Sequence, residues 1–66
     1  MPRTIEELAE MIARRDNISY EEALKAVHDC ATMLEEAFMR GSLIDAEDTL
    51  QYELGLEPDY LDLFIF

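Results

Sequence analysis

Apolar residues recur every three or four positions along this chain, in three blocks separated by short polar breaks. In the first block Ile5, Leu8 and Ile12 form a stripe flanked by Ala9 and Met11, which predicts a helix over 5–15. Arg14 and Arg15 fall in its last turn, where cations suit the negative end of the helix dipole. In the second block Leu24, Val27, Ala31, Leu34 and Phe38 make a heptad-like seam, widened by Ala23, Cys30 and Ala37. That pattern predicts a long helix over 20–40. In the third, Leu43, Ala46, Leu50 and Leu54 share one side of a helix over 43–54.

The breaks carry helix start and stop signals. "TIEE", "SYEE" and "SLID" each put a hydroxyl residue (Thr4, Ser19, Ser42) three positions before an acidic one, the spacing of a capping box. "DN" turns the chain after the first block, and Ile18 stands where a hydrophobic staple for the next helix belongs. Gly41 and Gly55 sit where helices end in a left-handed residue, with Leu56 placed to fold back on Leu50. Pro58 can open a final short helical piece over 58–64. No period-two run and no hairpin dipeptide marks a strand. The expected fold is all-α: a small three-helix bundle with a short C-terminal helical segment, forming a single helical domain over 1–66.

Charge narrows the function. The 66 residues carry a net charge of −11. All five basic residues (Arg3, Arg14, Arg15, Lys25, Arg40) lie in the first 40 positions, and residues 41–66 hold seven acidic residues and none that is basic. Direct binding of nucleic acid is disfavoured, because it needs cations to displace counterions from phosphates. An anionic membrane surface is disfavoured for the same reason. A protein partner suits the chain better, above all a basic one, and a homo-oligomer stays open. "MPRTIEELAEM" has no apolar signal-peptide core, no run approaches a membrane span, and a single cysteine allows no internal disulfide. A cytoplasmic setting is expected.

Candidate chemistry is sparse. His28 and Cys30 in "VHDC" are the one nucleophile–base pair, yet residues two apart on a helix point to opposite sides. Cys30 is expected in the core and His28 on the polar face. One His and one Cys do not make a zinc site. Glu6 with Glu10, and Asp45 with Asp48, stand at helical spacing, but "DAEDTL" lacks the alternating ligands and central glycine of a calcium loop. Catalytic, cofactor and metal residues are therefore expected to be none. The acidic residues Asp45, Glu47, Asp48, Glu53, Glu57, Asp59 and Asp62 are a candidate imitation of a phosphate row.

"ISYEEAL", the long second helix, the acidic third and "LGLEPDYLDL" together resemble short acidic helical proteins of phages and integrative elements of Gram-positive bacteria. The resemblance implies a compact helical fold in a mobile-element setting and carries over no catalytic or binding residue. "YLDLF" (Tyr60–Phe64) is also similar to the peptide by which many proteins bind the bacterial sliding clamp, Gln-Leu-Ser/Asp-Leu-Phe. Leu61, Asp62, Leu63 and Phe64 match, and Tyr60 replaces the glutamine. The expected function is a non-enzymatic, acidic protein-interaction module that binds a bacterial host protein. An acidic nucleic-acid mimic, a sliding-clamp binder and a structural or assembly subunit stand as alternatives. The expected partner-binding residues are Asp45, Glu47, Asp48, Glu53, Asp59 and Asp62 with Leu63, Phe64, Ile65 and Phe66. Of the terminal residues, Tyr60, Leu61 and Phe64 are expected to face the first two helices, leaving Leu63, Ile65 and Phe66 more exposed.

Overall fold

Each predicted stripe becomes a helix. The computed structural model describes residues 2–65, so the part of the partner-binding expectation that falls on Phe66 lies outside the described residues. Helix α1 is Ile5–Asp16, α2 is Tyr20–Met39 and α3 is Leu43–Leu54, followed by a 3-10 helix over Pro58–Leu63. There is no strand among the described residues. Among the described residues no helix is long and apolar enough to cross a membrane.

The caps explain the boundaries. Ser19 and Glu22 form a full capping box: Glu22 N–H donates to Ser19 Oγ at 3.0 Å, and Ser19 N–H donates to Glu22 Oε1 at 3.2 Å. The other two boxes are only half made. Glu7 N–H donates to Thr4 Oγ1, but the Glu7 carboxylate accepts from Arg3 N–H, one residue too early for a box. Asp45 N–H donates to Ser42 Oγ, while the Asp45 carboxylate, one methylene shorter than glutamate, pairs with Arg40 at 3.5 Å. All three helices end through a left-handed residue: Asn17, Gly41 and Gly55. After α2, Ser42 N–H donates to Ala37 O and Gly41 N–H to Phe38 O, the paired bonds of a Schellman motif. After α3, Gly55 N–H donates to Gln51 O, the single bond of the simpler left-handed cap, and Leu56 N–H reaches Leu50 O at 3.5 Å. These stops put α1 and α2 each within two residues of the predicted ends.

Helix α2 is the shared wall. Both α1 and α3 pack mainly against it, burying Leu8, Ala9 and Ile12 from one side and Ala46, Leu50 and Leu54 from the other. The Arg15 guanidinium, at the end of α1, lies 3.7 Å from where a Cβ on Gly55 would sit, so the C-terminal ends of α1 and α3 are neighbours. Both therefore run antiparallel to α2, as the short connections require. The buried line of α2 is Ala23, Val27, Cys30, Leu34 and Ala37. Leu24, Ala31 and Phe38, expected within the seam, are only half-buried. Leu43, expected on the core side of α3, is 56% exposed. The core-facing stripe is thus rotated toward the 23–30–37 edge, because α1 and α3 flank that edge.

The terminal segment turns back onto the bundle, packing chiefly on α3, with Tyr60 Oη donating to Met11 Sδ of α1 at 3.8 Å. It is a 3-10 helix, the usual choice for so short a piece, with Tyr60 N–H bonded to Glu57 O and Phe64 N–H to Leu61 O. Its period of three residues changes which side chains align. Leu61 and Phe64 are buried, at 4% and 6% exposure. Tyr60 and Leu63 share the next line and are both half-buried, while Asp59, Asp62 and Ile65 point to solvent. Leu63 is therefore less exposed than an α-helical reading of the segment expects.

Leu61 closes the far side of a small core, so Leu61→Ala should cost about 2–3 kcal/mol and lower the melting midpoint by roughly 10–20 °C. Leu63→Ala should cost less than half as much. Urea and thermal unfolding check both, and an unchanged midpoint for Leu61→Ala would mean that the segment is not docked.

Candidate protein-docking cleft

Four residues that sequence periodicity assigns to the core, but that the fold leaves partly open, lie together. Ile5 from α1, Ala31 and Phe38 from α2 and Leu43 from α3 line one open cleft of about 830 Å³. Phe64 and Ile65 of the terminal segment complete its apolar surface. Polar side chains at the cleft are Glu6, His28 and Glu35. Leu43 and Ile65 are the openly exposed apolar members, the latter at 52%. Met39 and Ile44, exposed on either side of the α2–α3 connection, add apolar surface near Leu43 in the chain.

The cleft has a simple origin. Helix α1 starts, α2 ends and α3 starts near it, and no element covers the Ala31–Phe38 edge of α2 among the described residues. His28 was expected on the polar face, and it is exposed. Its place on the cleft went unforeseen, as did the gathering of Ile5, Ala31, Phe38 and Leu43. The signal available was an α2 stripe wider than the two shorter helices can cover.

The acidic candidates differ in exposure and pairing. Asp45 is held by Arg40. Glu47 is half-buried, and Asp48, Glu53, Glu57, Asp59 and Asp62 are exposed. Of the hydrophobic candidates, Phe64 is buried, Leu63 half-buried and Ile65 exposed. Ile65 and Phe64 belong to the cleft, whereas Leu63 does not line it.

His28 and Cys30 diverge as helix geometry requires: the imidazole is exposed and the thiol buried. Burial pushes the Cys30 thiol up to about 11, with the Glu53 carboxylate adding to the shift. At neutral pH the sulfur is a protonated, packed group and a poor nucleophile. Among the described residues no three His, Cys, Asp or Glu side chains come together in a way that could hold a metal ion. Every buried side-chain nitrogen and oxygen among them has a partner.

Arg15 organises the opposite end. Its Nε donates to Asp16 Oδ1 at 2.8 Å and its Nη2 to Oδ2 at 2.9 Å. That bond holds the Asp16 carboxyl below its usual value and the guanidinium above its own. Helix α3 has no basic residue in its last turn, so Arg15 brings a cation to that negative end from across the bundle.

No protein-family model, no curated protein and no solved structure matches this chain.

Cys30 gives a pH test. Its folded pKa is raised, so the unfolded chain loses the thiol proton first as pH climbs. The stability that the protonated thiol contributes is full below the ordinary value of 9.0 and is lost as pH rises toward about 11. Cys30→Ala should remove that part of the alkaline decline in urea unfolding. A thiol reagent should label native Cys30 far more slowly than unfolded chain, and equal rates would contradict its burial.

Proposed function

We propose that this chain is a non-enzymatic protein-interaction module of a phage or mobile element, acting by occupying a surface on a bacterial host protein. The observation that carries this reading is the cleft: an apolar surface left open on a strongly acidic protein too small to spare apolar side chains from its core. The mobile-element setting rests on the resemblance of "ISYEEAL" and "LGLEPDYLDL" alone. The non-enzymatic reading is supported by the separation of His28 from Cys30 and by the protonated state of the buried thiol.

A second reading is favoured by a different observation. Asp48, Glu53, Glu57, Asp59 and Asp62 are exposed, and none is in an ion pair among the described residues. Such a surface attracts a cationic groove from beyond a Debye length of about 8–10 Å, as an acidic nucleic-acid mimic would. The sliding-clamp reading gains nothing comparable. Of its Leu-Phe pair, Leu63 is half-buried and Phe64 is buried in the protein's own core, and Phe64 would have to be withdrawn at a cost of about 1.5–3 kcal/mol.

Pull-down from a bacterial lysate at low and high salt separates the readings. A module that binds through the cleft should retain a stoichiometric partner in high salt and lose it on Leu43→Asp. Leu43 is exposed and opens α3, where an acidic residue suits the helix dipole, so this variant should fold normally. A phosphate-row mimic should lose its partner in salt and ignore Leu43→Asp. No stoichiometric partner under either condition would sink both.

A further inference from the structure

We propose that the occupant of the cleft is a short amphipathic helix of the partner, with apolar anchors three and four residues apart and lysine or arginine beside them. This rests on the interaction-module reading and names what the module recognises.

The first reason is backbone chemistry. An extended peptide needs partners for its own N–H and C=O groups, and the usual donor of such partners is a sheet edge. There is no strand among the described residues, and the cleft surface is mainly apolar. A helix satisfies its backbone internally and offers only side chains, which is all that such a groove can read.

The second is shape. Helices α1 and α3 both stand on α2, and the cleft opens along the edge of α2 that they leave bare. That edge is where a fourth helix stands in a four-helix bundle. From His28 to Phe38 it extends about 15 Å at roughly 1.5 Å per residue, or close to three helical turns. A partner helix presenting side chains at i, i+3 or i+4, and i+7 covers that length.

The third is charge. Glu6 and Glu35 are the acidic side chains on the cleft, and neither lysine nor arginine lines it. Of the five cations in the chain, Arg15, Lys25 and Arg40 are paired with Asp16, Asp29 and Asp45. A helix bearing cations beside its anchors meets complementary charge at this rim. A second copy of this chain brings another −11 and meets repulsion.

The test uses the full chain and three labelled synthetic peptides. One is a leucine–lysine peptide with leucines at i, i+3, i+4 and i+7. The second is its scrambled isomer, which has no apolar face. The third is the leucine–glutamate peptide of the first pattern. Fluorescence anisotropy should show the first binding at least about tenfold more tightly than the other two. NMR shifts on binding should centre on Ile5, Ala31, Phe38 and Leu43. Leu43→Asp should weaken the first peptide by about tenfold or more, and Glu6→Gln with Glu35→Gln should flatten its salt dependence.

Equal binding of the scrambled peptide, with shifts centred on Asp48, Asp59 and Asp62, would overturn the proposal in favour of charge alone. Absence of binding would overturn it outright. A dimer in light scattering that Leu43→Asp dissociates would name a second copy as the occupant. A variant lacking Phe66 that binds the first peptide about tenfold more tightly would name the chain's own terminus, and either result sinks the proposal. The failure of the underlying function looks different. If the peptides fail but the wild-type chain captures a lysate partner that Leu43→Asp loses, only the nature of the cleft's occupant is wrong. If no partner is captured at all, the module reading itself falls.

Discussion

Two short helices bury their apolar stripes against one long one, and the rest of the structure depends on that shared wall. Helix α2 has 20 residues, while α1 and α3 have 12 each. Ala23, Cys30 and Ala37 repeat every seven positions along its most buried edge, beside Val27 and Leu34. Small side chains there let both neighbours approach closely, as ridges-in-grooves packing requires. Two flanking helices cover only part of the apolar circumference of α2. The Ala31–Phe38 edge is what remains, and the cleft is its consequence.

The terminal segment solves a different problem on the same bundle. A chain this small reaches stability only when nearly every large apolar residue is used. Leu56 locks the end of α3, Pro58 starts the 3-10 turn, and Leu61 and Phe64 then fall on one line toward the core. One ring does two jobs: Phe64 is buried and also borders the cleft, so docking of this segment and the shape of the cleft are coupled. At the other end the Arg15 guanidinium of α1 lies close to the end of α3. A chain with five cations in all uses one of them where an unpaired helix end needs it.

Much of this was legible in the residues alone. Caps at Thr4, Ser19 and Ser42 and stops at Asn17, Gly41 and Gly55 are local chemistry, and local chemistry set the helix ends within two residues. Burial of Cys30 followed from its place between Val27 and Leu34. What sequence periodicity could not resolve was which edge of a wide stripe would be covered. Leu24, Ala31 and Phe38 are as apolar as the residues beside them, and only the arrangement of neighbours separates the two edges. The same limit applies to Leu43. The terminal segment differs for another reason: a step of three residues instead of 3.6 takes Leu63 off the surface and onto the half-buried line of Tyr60, a difference invisible in composition. The acidic candidates show the reverse case, since charge can be counted from sequence but its placement on a surface cannot.

The edge of α2 beside Leu43 stays open while Leu61 seals the core. Attenuation of methyl NMR signals by a soluble paramagnetic probe reads both at once. The methyls of Leu43 and Ile65 should lose intensity strongly, while those of Leu8, Leu34, Leu50 and Leu61 should be protected. Protection of Leu43 to the level of Leu34 would mean that the cleft is filled, and attenuation of Leu61 would mean that the terminal segment is undocked; either result contradicts the account.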